Sequence, residues 1–73
     1  MARLRMRIRL KIKEIAEEQG LNRAVLSRRA DLTYETVFKL WKYPHMDVTL
    51  HTLVKIARVL KVEVSKLYEV EEE

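Results

Sequence analysis

Apolar residues recur along this chain at two different spacings. Near the N-terminus they take every second position, through Leu4, Met6, Ile8, Leu10 and Ile12, with Arg3, Arg5, Arg7, Arg9, Lys11 and Lys13 between them. Period two puts alternate side chains on opposite faces and predicts a strand. From Ile8 onward a helical spacing also fits, through Ile8, Ile12, Ile15 and Ala16, and it runs out at Gly20, a residue suited to the position just past a helix C-terminus. The pattern therefore predicts a short strand within residues 3–9, centred on 5–9, and a first helix from about Leu10 to Gln19. Glu17 and Glu18 sit at the end of that helix where its dipole disfavours acids, so it must rely on packing.

The next stretch, residues 22–42, predicts two short helices joined by a tight turn. Asn22 is placed to cap the first, which carries Ala24, Leu26, Ser27 and Ala30; Asp31 and Leu32 form the turn; Thr33 is placed to cap the second, which carries Val37, Leu40 and Trp41. Asn and Thr cap helices because a side-chain oxygen accepts from an unpaired amide of the first turn. The small residues at 24, 27 and 30 allow the second helix to come close. Pro44 stops that helix, and residues 43–48 form a loop. Thr49 then caps a helix with Leu50, Leu53, Val54, Ile56, Ala57 and Leu60 at helical spacing, and a short helical turn is predicted around Val64–Tyr68. Residues 67–72 alternate again, with acids at the polar positions. The expected fold is all-α, with five helices, the last one short, and a short two-stranded ribbon from segments 3–9 and 67–72. That pairing can close within one chain or between two.

Charge supports the ribbon. Residues 1–13 hold six bases and no acid, while Glu69, Glu71, Glu72 and Glu73 crowd the other end without a base. Opposite charges facing each other across two strands favour pairing. The 73 residues predict a single domain over 1–73, one that buries roughly 60% of its unfolded surface and so has a thin core. There is no cysteine for a disulfide or a thiolate metal site. No apolar run approaches the roughly 20 residues that span a bilayer, and the basic start lacks the apolar segment of a signal peptide, so no membrane partner and a cytoplasmic, nucleoid-associated location are expected. The net charge of +4 favours polyanions.

Two helices joined by a tight turn, with small residues where they meet, form a helix-turn-helix, whose usual task is to lay its second helix in the major groove of DNA. The order of elements resembles the lambda-repressor-like family of helix-turn-helix domains, also called the Cro or XRE type. Three stretches carry the resemblance: LNRAVLSRRADLTYETVFKLW, VTLHTLVKIARVLKV and VSKLYE. The basic lead-in IRLKIKEIAEEQG is similar to small stand-alone members that begin with a strand. The resemblance implies a double-stranded-DNA-binding regulator. This chain departs from the family pattern at four places. Asp31 and Lys61 stand where Gly is usual, Arg23 where a phosphate-contacting Gln is usual, and Trp41 where Glu is common. Asp tolerates left-handed geometry better than most residues, whereas Lys61 costs roughly 1 kcal/mol if it must adopt it.

In such a docking the recognition helix, about 33–42, presents Tyr34, Glu35, Thr36 and Lys39 to base edges, with Phe38 at the margin. Lys39 can donate to guanine, Glu35 can accept from cytosine N4, and Thr36 and Tyr34 can meet a thymine methyl or a phosphate. Asn22, Arg23, Thr33, Lys42, Tyr43 and His45 are the candidates for the DNA backbone, Arg23 together with the amides that open its helix. Each has a plainer reading. Glu35 can pair with Lys39 four residues on, Lys42 can be solvated, and Phe38 and Trp41 fit core or interface positions better than base stacking.

No histidine lies near enough to a Cys or acidic cluster to suggest a metal, Ser27 has no base to make it a nucleophile, and no Gly-rich loop or acid pair appears. No enzyme activity, cofactor, metal or small-molecule ligand is therefore expected. The reading is a sequence-specific, repressor-like transcriptional regulator, paired as a homodimer on a two-fold site because one such module contacts little DNA. The alternative is a protein-interaction module, an antitoxin or adaptor, that reuses the same fold and holds its partner with Phe38, Trp41 and the basic strand.

Overall fold

Residues 6–72 are described by the computed structural model; residues 3–5 of the predicted N-terminal strand, and Glu73, lie outside them. In chain order the described elements are β1 (Met6–Leu10), α1 (Ile12–Glu18), α2 (Arg23–Arg29), α3 (Tyr34–Lys42), α4 (Leu50–Leu60) and β2 (Tyr68–Glu72). The termini pair within the chain. β1 runs antiparallel to β2, with Arg7 opposite Glu71, Ile8 opposite Val70 and Arg9 opposite Glu69. The basic and acidic rows meet as their charges favour: Arg9 reaches Glu69 at 3.1 Å and Arg7 reaches Glu71 at 3.7 Å.

The expected fifth helix is a single 3₁₀ turn, Val64–Leu67, so the described residues hold four α-helices and the fold is mainly rather than purely α. Only four residues separate Glu63 from β2. Over so short a run the Lys66 amide bonds back three residues to the Glu63 carbonyl, at 2.9 Å. The chain must also extend at once, because the Leu67 carbonyl accepts from the Lys11 amide at 2.7 Å and Tyr68 is already in β geometry. That contact and its neighbour, from the Leu10 amide to the Pro44 carbonyl, hold the amides of residues 10 and 11 outside the helix. Strand pairing continues through Leu10, opposite Tyr68, so α1 begins at Ile12 rather than near Leu10.

Side-chain caps set the starts of the other three helices. Asn22 accepts from the Val25 amide at 2.9 Å, Thr33 from Thr36 at 3.2 Å and Thr49 from Thr52 at 3.2 Å. The ends share one device. Gly20, Asp31 and Lys61 are all left-handed (φ 72°, 56° and 57°), and the amide after each returns five residues, from Leu21 to Ala16, Leu32 to Ser27 and Val62 to Ala57. This closing turn satisfies carbonyls that the helix leaves unpaired. Asp31 supplies the turn of the helix-turn-helix without glycine, and Lys61 adopts the geometry that its side chain disfavours.

The core gathers one face of β1 and of each helix: Leu10 from β1, Ile12 and Ala16 from α1, Leu26 and Ala30 from α2, Val37 and Leu40 from α3, Leu53, Ile56, Ala57 and Leu60 from α4, and Leu67 before β2. Of the small residues on α2, Ser27 and Ala30 are buried against the packed helices, while Ala24 is exposed. The Gln19 side chain ties α1 to the last carbonyl of α4, donating to Leu60 at 2.7 Å.

Candidate nucleic-acid interface

α3 is built with two sides. Val37 and Leu40 are buried, and Trp41 packs partly buried against the core. The side adjoining this buried face carries Tyr34, Phe38 and Lys42, four residues apart and therefore stacked along one line of the helix. The tyrosine and phenylalanine rings lie 6.3 Å apart between centroids. The start of α2 crosses this line. The Arg23 guanidinium sits over the Phe38 ring at 5.0 Å and near the Tyr34 ring at 5.9 Å. At the other end the Lys42 ammonium lies 5.8 Å from Phe38 and 5.5 Å from Tyr43. The result is a strip in which cations and aromatic faces alternate: Arg23, Tyr34 and Phe38, Lys42, Tyr43.

Such contacts contribute about 0.5–1 kcal/mol each at exposed sites. Their larger consequence here is geometric. Two cations that would otherwise sample many rotamers are held along one edge of α3, spaced by flat rings. Tyr34 and Tyr43 remain about half exposed, so the strip faces solvent. Phe38, which the pattern put only at the margin, is its centre. The i, i+4, i+8 spacing of Tyr34, Phe38 and Lys42 is the signal in the sequence; that Arg23 lies over it depends on how α2 packs on α3.

The other expected contact residues fall into three groups. Glu35 and Lys39 are exposed beside the strip and paired with each other at 3.1 Å. An exposed pair of this kind is worth about 0.3–0.5 kcal/mol, so either partner is readily exchanged for another one. Asn22, Thr33 and Thr36 stand at the open ends of α2 and α3, already engaged in capping, with the Thr33 and Thr36 hydroxyls 2.8 Å apart. His45 stands apart. Its Nε2 is 2.8 Å from Glu71 of the ribbon, away from the strip. The hydrogen bond from His45 holds the Glu71 carboxyl below its ordinary value; partial loss of solvent opposes this, and the charges of Arg7, His45 and Arg9 add to the lowering.

Among the described residues no three His, Cys, Asp or Glu side chains converge as a metal site, and no helix is long and apolar enough to cross a membrane.

Comparison with known proteins matches the geometry. The fold is similar to that of a candidate DNA-binding protein from Bacteroides fragilis, with a TM-score of 0.73 at 22% identity over 85% of this chain and 98% of that one. It is also similar to the transcriptional regulator VanUg, with a TM-score of 0.75 at 22% identity over 93% of this chain and 89% of that one. Among curated proteins none matches. The family model for the Cro/C1-type helix-turn-helix DNA-binding domain matches residues 11–73, which takes in all four helices and the acidic strand. With its capped α2 and α3 joined through left-handed Asp31, the chain belongs to the Cro/C1-type helix-turn-helix DNA-binding family.

Proposed function

We propose that the protein is a sequence-specific regulator of transcription that binds double-stranded DNA as a two-fold pair, with α3 in the major groove. The alternating strip of cations and aromatic rings along α3 carries this reading. Arg23, at the start of α2, and Lys42, at the end of α3, flank Phe38, so that each would meet a phosphate strand bordering the groove. Between them Tyr34, Glu35 and Thr36 stand in the first turn of α3, from which related geometries reach base edges, and Lys39 follows in its last turn. Lys39 would leave Glu35 for guanine, and Glu35 would turn to cytosine N4. Asn22, Thr33, Tyr43 and His45 would supply further backbone contacts, His45 only by releasing Glu71. The protein acts as a repressor-like factor in the cytoplasm, on the nucleoid.

Selection of sites from a random duplex library at about 150 mM salt tests this, since at that salt nonspecific attraction is largely suppressed. The expected result is an enriched motif with two-fold symmetry and half-sites about one helical turn apart. Failure to enrich any motif would overturn the proposal and favour a protein-interaction module. A specific observation supports that second reading: the apolar side of the ribbon is exposed at Met6, Ile8 and Val70.

A further inference from the structure

Positive charge collects at a second place, and α3 takes no part in it. An open pocket of about 410 Å³ lies between the end of α2 and the middle of α4. Arg29, Lys55 and Arg58 line it, with buried Ala30 and half-buried Val59 beside them. Asp31 is the one acid among its lining residues.

Two features set this cluster apart from an ordinary solvated face. Among the described residues none of the three cations makes an ion pair, whereas Arg7, Arg9 and Lys39 all do. Neither α2 nor α4 carries an acid along its length, so no partner waits three or four residues away on the same helix. Helix dipoles favour Arg29 and Arg58 in the last turns of α2 and α4, but Lys55 stands mid-helix, where no dipole end holds it. Its Nζ instead reaches across to the turn after α2, 3.5 Å from the Asp31 carbonyl oxygen.

We infer that this pocket is a second site for the phosphate backbone of nucleic acid, and that it takes a duplex other than the one held by α3. The inference rests on the DNA reading only in calling that duplex the second. Like charges gathered around one opening repel, and an anion between them relieves the repulsion. Three cations against one acid leave a surplus of two positive charges. The form of the site then selects the kind of anion. A small free anion must offset its desolvation with donors that enclose it. Here the pocket is open, Arg29 and Arg58 are exposed, and among the described residues no buried side-chain donor lacks a partner. A polyanion needs no enclosure, because each neutralised phosphate releases counterions and exposed contacts add. A protein partner would bury apolar area, of which only Ala30 and Val59 offer any.

Placement makes the duplex a second one. No residue of the α3 strip lines the pocket. Arg23 opens α2 and Arg29 ends it, about 9 Å apart along the axis and about 120° apart around it, so the two arginines face different sides. A molecule with both surfaces occupied would bridge two duplexes.

The test is bridging. The full chain is bound to an immobilised random duplex in about 50 mM salt, and capture of a second, labelled random duplex is measured. The wild type is expected to capture it. Three phosphate contacts give a salt slope of about −2.7, so a fourfold rise in salt should weaken capture about 40-fold. Arg29→Gln combined with Arg58→Gln should lower capture roughly tenfold or more while the first duplex stays bound. Asp31→Asn, which removes the opposing charge and tolerates the left-handed turn, should raise capture. Circular dichroism checks each fold, and Asp31→Asn decides the matter if the double variant unfolds. A wild type that captures no second duplex, or capture unchanged by these substitutions, overturns the assignment. So does displacement of the second duplex by about 1 mM pyrophosphate at matched ionic strength, which would make the pocket a small-anion site. Arg23→Gln combined with Lys42→Gln separates the two readings. If that variant binds duplex as well as the wild type and loses it only when Arg29 and Arg58 are also changed, the pocket stands and the α3 reading falls. If it releases duplex while the Arg29 and Arg58 variant still bridges, the reverse holds.

Discussion

The strip along α3 and the groove beside the ribbon both expose large apolar side chains, but in different chemical company. Tyr34, Phe38 and Tyr43 are interleaved with Arg23 and Lys42, so each ring has a cation near its face. Met6, Ile8, Leu50 and Val70 line one groove together with Met46 and Val48, and among the described residues no cation stands over an aromatic face there. An aromatic ring tolerates water and supports a cation; an aliphatic row gains only by leaving water. The first surface suits a hydrated polyanion, the second a partner that removes solvent. The difference shows that exposure of apolar residues means little until their neighbours are named.

The largest expected effect lies within the ribbon. Leu10 is fully enclosed at its base and Met6 lies open at its tip, though both point to the same side of β1. Leu10→Ala should cost about 2–5 kcal/mol of folding stability, the usual range for a buried leucine. Met6→Ala should change the stability of the monomer by no more than about 0.5 kcal/mol, as for an ordinary surface site. Urea denaturation of dilute protein compares them. Equal losses would mean that the tip is as firmly packed as the base, and the contrast between an open groove and a closed core would fail.

On the opposite surface the predictions separate two roles. Lys39→Ala should weaken binding to the selected site by roughly 1–3 kcal/mol and relax preference at one base position. Arg23→Ala should weaken selected and random duplexes alike and reduce the salt slope by about 0.9, the value for one phosphate contact. Titrations of both DNAs at several salt concentrations distinguish these patterns. If the two variants lose affinity in the same way on both DNAs, the strip is an undivided basic patch.

A change belonging to neither surface provides a control. Lys61 closes α4 with φ 57°, on the far side of that helix from its capped start. Lys61→Gly removes the left-handed penalty of roughly 1–2 kcal/mol, partly offset by the entropy of an added glycine. A net gain of about 0.5–1 kcal/mol in stability is expected, with dimerisation and DNA affinity unchanged. Lower stability would mean that the lysine side chain contributes contacts exceeding its strain.

The helical frame was legible because its signals are local. Asn22, Thr33 and Thr49 each cap the helix that follows within three residues, and Pro44 and Gly20 mark stops where α3 and α1 end. The ribbon was legible for a different reason: two rows of opposite charge at the ends of a short chain have few other partners. What escaped depended on packing between distant segments. Pairing of Leu10 with Tyr68 keeps the chain extended up to the start of α1, and the bond from the Lys11 amide to the Leu67 carbonyl ends the last turn early. Val64 and Leu67, three apart, suit a 3₁₀ turn as well as an α-helix. Arg23 lies over Phe38 only because α2 crosses α3 there, and no spacing along either helix encodes that angle.

His45 lines the groove and gives the smallest predicted effect. Sequence placed it with the strip, yet its imidazole bonds to Glu71 across 26 residues of chain. Because that bond favours the ionised carboxylate, Glu71 titrates lower in the folded protein than in the unfolded chain. The unfolded state therefore takes up its proton first as pH falls. The stabilising contribution is full above the ordinary carboxylate range and is lost as pH drops through the lowered folded value. Both partners are partly exposed, so the effect should be small and screened by salt. Glu71→Gln cannot ionise, so subtracting its urea midpoint from that of the wild type isolates this group from the other acids. The difference should favour the wild type at neutral pH and shrink steadily on acidification below the ordinary carboxylate range. A difference that stays constant with pH would mean that Glu71 acts through packing alone, leaving His45 free to swing toward DNA at no electrostatic cost.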